Sequence, residues 1–326
     1  MAPKYRPDGV VPAVGLVQAL VAGGVVGVVV GYVLGFIGHK WMSLIILWPL
    51  GMGGAAGVVV SFIVKKTAIR NTVAAFLLGA LSAATAYAAS HHVAYLLVRS
   101  EFRNQAQSEG LVTDSGMIKL SEKDADDLFD IFLRKETGSG GFWGFIRMEA
   151  KQGSTLSNHG GKGINLGQTG TWILFAVELL LAMVVGGLIP RGQAARPFCS
   201  HCGRWYRPGK VVPLGGTDKA EVKRLLQADD TSGLVAAVGL PAGRVTHLVL
   251  ELHDCPSCDM ADSAVEVASI SFQKKGKHYV RQRKALGLYL LPRAEAQLVA
   301  RQAEKLAASL PTSEATPSPA QPPPDR

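Results

Sequence analysis

The sequence predicts an α-helical membrane domain of four transmembrane helices joined to a small α/β domain on the cytoplasmic side. Three observations carry that prediction. Four runs of Gly, Ala, Val and Leu are long enough to cross a hydrocarbon core of about 30 Å. The chain returns to ordinary charged composition over 99–170 and 191–310. All four of its cysteines fall in two C-x-x-C pairs within the second of those charged stretches.

The spans lie at about 13–37, 42–64, 73–98 and 171–189. The apolar run of the first is too long for a cleaved leader, and no small-x-small site closes it. Lys4 and Arg6 precede it, Lys65, Lys66 and Arg70 follow the second, and Arg191, Arg196, Arg204 and Arg207 follow the fourth. Between spans one and two stand only His39 and Lys40. The positive-inside rule therefore predicts both termini in the cytoplasm and residues 99–170 outside. The expected location is the bacterial inner (cytoplasmic) membrane. The net charge of +9 is concentrated after Pro190, where 19 Lys/Arg face 13 Asp/Glu, as suits an anionic leaflet.

Gly15, Ala19, Gly23, Gly27, Gly31 and Gly35 repeat every four residues along span one, and Gly53, Gly57 and Ser61 do so along span two. Small residues let helix backbones approach closely in lipid. This glycine-zipper pattern predicts tight packing of spans one and two, with homo-oligomerisation as the alternative use of the seam. A pore is disfavoured, because neither span carries a polar lining.

Glu178 in span four and His91 and His92 in span three fall at similar depth, roughly 10 Å below the outer boundary at 1.5 Å per residue. A carboxylate in lipid requires a partner. The expectation is that Glu178 approaches His91 or His92, with Tyr87 and Tyr95 nearby, either as a helix lock or as a proton relay. H-E-x-x-H does not occur, so these groups are not a zinc-protease motif.

In the outer loop, "SEKDADDLFDIFLRKE" (121–136) reads as a helix capped by Ser121 and stopped by Gly138. "FWGFIRMEAKQ" (142–152) reads as a second helix. Its aromatic cluster suits either the membrane interface or a small core made with the first helix. "SNHGGKGINLGQTGTW" (157–172) satisfies neither the Walker spacing nor G-x-G-x-x-G, so it reads as a tight return to the membrane, with His159 and Lys162 solvated. The loop offers no catalytic set.

Cys199 and Cys202 are separated from Cys255 and Cys258 by 52 residues. Two residues between cysteines let both thiolates face one tetrahedron, and two such pairs complete a four-cysteine site. "CSHCGRWY" resembles a zinc-ribbon knuckle, with Gly203 easing the turn and Trp205 and Tyr206 beneath it. "HDCPSCD" resembles the opposing knuckle with Pro256 in its turn, although Asp259 stands where a Gly is usual. The resemblance covers only the knuckles and their flanking strands, and it implies structural Zn2+. Iron of the rubredoxin kind, a redox dithiol, and mixed ligation through His201 or His253 are the alternatives. A closed site of this kind is structural and not hydrolytic.

Around the knuckles, "TDKAEVKRLLQAD" (217–229) reads as a helix capped by Thr217 or Asp218, and "DTSGLVAAVGL" as a shorter one. "RVTHLVLEL" (244–252) and "AVEVASISF" (264–272) alternate like strands, and "HYVRQRKALGLYLL" (278–291) reads as a third. A helix over 292–310 and a disordered Pro-rich tail over 311–326 complete the 190–310 domain. "KKGKHYVRQRK" (274–284) holds six basic residues and no acid: Lys274, Lys275, Lys277, Arg281, Arg283 and Lys284. It reads as a solvated hairpin turn, or as a contact for anionic lipid headgroups. No stacking platform for nucleic acid is evident.

The expected function is a non-enzymatic, membrane-tethered interaction or assembly module with a protein partner at the cytoplasmic face. The alternative is a transporter or proton-coupled channel using Glu178 with His91 and His92.

Overall fold

The structure, a computed structural model, describes residues 2–39, 47–109, 111–113, 116–118, 120–156, 164–239, 246–258, 261–275 and 278–309. The Pro-rich tail, His159, Lys162 and Lys277 lie outside the described residues. Two compact units result: Pro7–Ala195, and Met1–Arg6 together with Arg196–Arg326.

The first unit is built on helices α1 (Ala13–His39), α2 (Leu47–Lys66) and α3 (Thr72–Glu109). Short pairs β1 (Leu111–Thr113) with β2 (Gly116–Ile118) and β3 (Thr155–Leu156) with β4 (Ile164–Asn165) flank α4 (Glu122–Thr137) and α5 (Gly141–Gln152). Helix α6 (Gly167–Ala194) follows. Helices α1, α2, α3 and α6 are long and apolar enough to cross a membrane.

Helix α3 runs past residue 98, where its apolar stretch ends. The extension is held from the side: Arg99 and Arg103 each lie 3.0 Å from Asp126 of α4. Helix α4 begins at the Ser121 capping box and stops at Gly138 in the left-handed conformation. Its Phe129 and Leu133 pack with Tyr95 of α3 and with Phe145 and Ile146 of α5. The aromatic cluster of α5 therefore forms a small core with α4 and α3, and Trp143 alone of that cluster is left exposed, stacked by Arg147.

The glycine seam of α1 faces chiefly α3, and not α2 as the sequence suggested. A Cβ added at Gly31 would lie 2.2 Å from the Ala86 carbonyl oxygen, which no side chain tolerates. Gly27 and Gly35 approach the Ser82 and Ser90 backbones in the same way, while Gly23 touches both Val60 of α2 and Ser82 of α3. Ser82 Oγ donates 2.7 Å to the Gly23 carbonyl, a bond that only near-touching backbones permit. Gly53 and Gly57 of α2 pack on Ala182 and Gly186 of α6. The small-residue faces are thus used within the chain, joining α1 to α3 and α2 to α6 as parallel pairs.

Ala19, Val64, Ile69, Ala75 and Ala194 form one buried cluster. The start of α1, the α2–α3 turn and the end of α6 therefore share one end of the bundle. His91, His92 and α5 lie at the other end.

In the second unit, β5 (Phe198–Cys199) pairs with β6 (Arg204–Trp205). Strands β7 (Arg207–Leu214), β8 (Thr246–Asp254), β9 (Ser263–Lys275) and β10 (His278–Leu291) form one antiparallel sheet in the order β10-β9-β8-β7. Between β7 and β8 come α7 (Lys219–Ala228), capped by Asp218, and α8 (Thr231–Ala237). Helix α9 (Arg293–Ala308) ends the described chain.

Alternation of β8 and β9 sends Leu248, Leu250, Leu252, Val265 and Val267 to one face. There they meet Val222, Leu225 and Leu226 of α7, Leu234 of α8, and Ala296 and Val299 of α9. The opening residues of the chain join this unit. Ala2 is buried in its core, and the Ala2 N–H donates 3.1 Å to the Leu226 carbonyl. Lys4 bridges Tyr289, the Tyr5 N–H donates 2.9 Å to Leu288 O, and the Leu290 N–H donates 2.9 Å to Pro3 O. Residues 3–5 therefore occupy the free edge of β10.

Candidate metal centre

The first cysteine pair sits on the tight turn between β5 and β6. Gly203 takes a positive φ of 65°, and its N–H donates 2.9 Å to the Cys199 carbonyl. That conformation suits a residue without a Cβ. Beneath the turn, Phe198 and Trp205 meet edge to face at 5.0 Å. The Tyr206 hydroxyl donates 2.8 Å to the Asp262 carbonyl, beyond the second pair. The chain then turns at once into β7, which runs beside β8, with Arg207 opposite Asp254. Strand β8 delivers Cys255 to the same place.

The second pair is anchored on both sides. Ser263 Oγ donates 2.5 Å to Asp254 Oδ1, and Arg293 donates 2.5 Å to the Cys258 carbonyl. The Sγ atoms of Cys199, Cys202, Cys255 and Cys258 all lie within 4.8 Å of one another. Cys199 Sγ and Cys258 Sγ are 3.7 Å apart. Cys199 and Cys255 are buried, and Cys202 and Cys258 are partly exposed. Neither His201 nor His253 belongs to this four-atom group.

Burial pushes the Cys199 thiol up. Hydrogen bonding with Cys258 raises Cys202 to about 12. Burial also acts to raise Cys255, but the N–H groups of Ser257 and Cys258 and the neighbouring thiols outweigh it and lower the group to about 7. A sulfur that ionises near neutrality is a starting point for a cation that replaces the protons of its neighbours. These four sulfurs are able to hold a metal ion.

Of the groups expected around Glu178, Tyr87 makes the direct bond, while each histidine finds a further partner. The hydrogen bond to Glu178 Oε2 comes from the Tyr87 hydroxyl, at 2.9 Å. His91 Nδ1 lies 3.6 Å from Glu149 Oε2 of α5, and its ring packs edge-on to Tyr87 and Phe175. His92 Nδ1 bonds the Tyr32 hydroxyl of α1 at 2.8 Å. Glu149 and Tyr32 escaped the sequence reading because each lies far along the chain from its histidine.

The basic run forms the far end of the β9–β10 hairpin. Lys274, Lys275, Arg281 and Lys284 are exposed there, beside exposed Phe272, Tyr279 and Val280. Arg283 departs from the expected lipid-facing set. Its Nη2 lies 2.7 Å from Glu251 Oε2 and 2.9 Å from Glu266 Oε1, so it is committed to carboxylates on the sheet.

No protein-family model, curated protein or solved structure matches this chain. Its class rests on its own geometry: four long apolar helices and a small sheet unit with four clustered cysteines.

Proposed function

We propose that the protein is an integral membrane protein of four spans. Both termini lie in the cytoplasm, and the sheet unit is a cytoplasmic module whose four cysteines bind structural Zn2+. Its role is to present that module at the membrane face as a tethered interaction or assembly platform. The supporting observation is that the four sulfurs lie within 4.8 Å of one another, enough ligands to fill a tetrahedral ion's coordination. The exposed basic hairpin, with its apolar side chains, suits anionic headgroups.

Metal analysis of the purified full-length protein tests this reading. It expects one zinc per chain, lost in a Cys199→Ser/Cys255→Ser variant. Iron in place of zinc, or metal-free reactive thiols, would overturn the zinc assignment.

A second reading, proton-coupled transport, draws on the Tyr87–Glu178 bond and the Glu149–His91 pair inside the bundle. Deeper than Glu178, Ala83, Ala182 and Ala56 close together and offer no further proton carrier. Transport that survives Glu178→Gln and His92→Ala would remove the basis of this reading.

A further inference from the structure

A second group of ligand atoms converges on the sheet, apart from the sulfurs. Glu251 and Glu266 stand directly opposite each other across β8 and β9. His253 follows Glu251 by two residues, so its side chain leaves β8 on the same face. One oxygen from each carboxylate and one nitrogen of His253 lie within 4.8 Å of one another.

The detailed distances divide these oxygens into two sets. Arg283 holds Glu251 Oε2 and Glu266 Oε1, at 2.7 and 2.9 Å. The other two, Glu251 Oε1 and Glu266 Oε2, face His253 Nε2 at 3.9 and 3.7 Å. Those separations are too long for hydrogen bonds. His253 Nε2 is buried and has no hydrogen-bond partner. Three donor atoms thus point at one another without touching, and a buried imidazole nitrogen left so is costly. The gaps fit a shared ion, since nitrogen and carboxylate ligands sit about 2.0–2.2 Å from such a metal.

Charge points the same way. Like charges directly opposite on neighbouring strands repel. The guanidinium of Arg283 touches both carboxylates but brings one positive charge against two negative ones. A divalent cation supplies the missing positive charge and takes up the orphaned nitrogen.

We propose that Glu251, His253 and Glu266 form a divalent-cation site on the sheet, with Arg283 as a positioning residue that holds the outer carboxylate oxygens. One imidazole and two carboxylates are harder donors than four thiolates, so the site takes Mn2+, Fe2+ or Zn2+ where the cysteines select softer ions. The site does not depend on the zinc reading of the cysteines.

The test uses full-length protein stripped of bound metal by dialysis against a chelator. Titration with Mn2+ is followed by loss of the free-ion paramagnetic resonance signal. One Mn2+ bound per chain is expected, both in this protein and in the Cys199→Ser/Cys255→Ser variant. Glu266→Gln should weaken that binding by at least about tenfold. Glu251→Gln is a second, equally isosteric probe should the first fail to fold. Mn2+ that stays free in the parent protein up to millimolar concentration would overturn the proposal and leave a closed ion-pair cluster. Undiminished binding in both glutamine variants would overturn it too. Mn2+ binding that persists in the Cys199→Ser/Cys255→Ser variant separates this site from the cysteines.

Discussion

Cys199 Sγ and Cys258 Sγ stand 3.7 Å apart although they lie 59 positions apart in the chain. Four sulfurs at about 2.3 Å from a tetrahedral ion are spaced by about 3.8 Å. The spacing is therefore that of a tetrahedral edge and far from a disulfide. The first knuckle stands on the β5–β6 pair, which spans only two residues on each side. The main sheet has its own apolar core. Chelation, or acidification that returns protons to the thiolates, should loosen residues 197–206 and 254–263 and spare the β8–β9–β10 ladder. Hydrogen exchange checks this. Uniform loss of protection across the sheet would contradict it.

Gly31→Leu should disrupt the bundle, because its Cβ would meet the Ala86 carbonyl oxygen at 2.2 Å. Forcing a well-packed interface apart costs about 1–3 kcal/mol or more. Gly24→Leu, where an added Cβ has nothing within 4 Å, should leave stability unchanged. Thermal unfolding of the two variants in detergent gives the comparison.

Tyr87→Phe removes the hydroxyl that donates to Glu178. A buried acceptor left unpaired costs about 1–3 kcal/mol, more when charged. Tyr87→Phe/Glu178→Leu removes both partners and should recover most of the loss. A double variant less stable than Tyr87→Phe alone would show that Glu178 has other essential contacts.

Deleting residues 2–5 should expose the edge of β10. The Leu290 N–H, which donates to Pro3 O, should then exchange faster. Ala2→Asp should have a similar but smaller effect, because it places a carboxylate in the core that holds Leu226 and Val299. Amide exchange at Leu290 and the melting temperature of the sheet unit are the measurements.

Arg283→Ala should destabilise the sheet by leaving Glu251 and Glu266 opposed. Adding Glu266→Gln should restore it by removing one of the two charges. Denaturant unfolding at low and high salt distinguishes this repulsion from lost packing, because screening weakens only the former.

Local patterns were legible in the sequence, and their partners were not. Ser121, Gly138 and Asp218 announce helix ends because capping is settled within a few residues. The C-x-x-C pairs announce a ligand pair for the same reason. The four-residue glycine repeat of α1 shows that one face is small. It carries no information on whether α2 or α3 will meet that face. Arg283 read as one of six basic residues because its carboxylates sit on two other strands. Residues 2–5 gave no strand signal, since two backbone bonds to β10 hold them and not an alternating pattern.

The edge position of residues 3–5 makes the sheet a parity counter. The segment that completes β10 precedes all four long helices, and β10 follows them. In a chain threaded through a bilayer, the two meet only if an even number of crossings lies between them. A skipped or extra crossing leaves the strand on one side and its edge on the other. Such a chain keeps its helices and loses a row of the sheet, exposing Ala2's place in the core to proteolysis. If the four helices span a bilayer as proposed, a complete sheet is the mark of correct insertion.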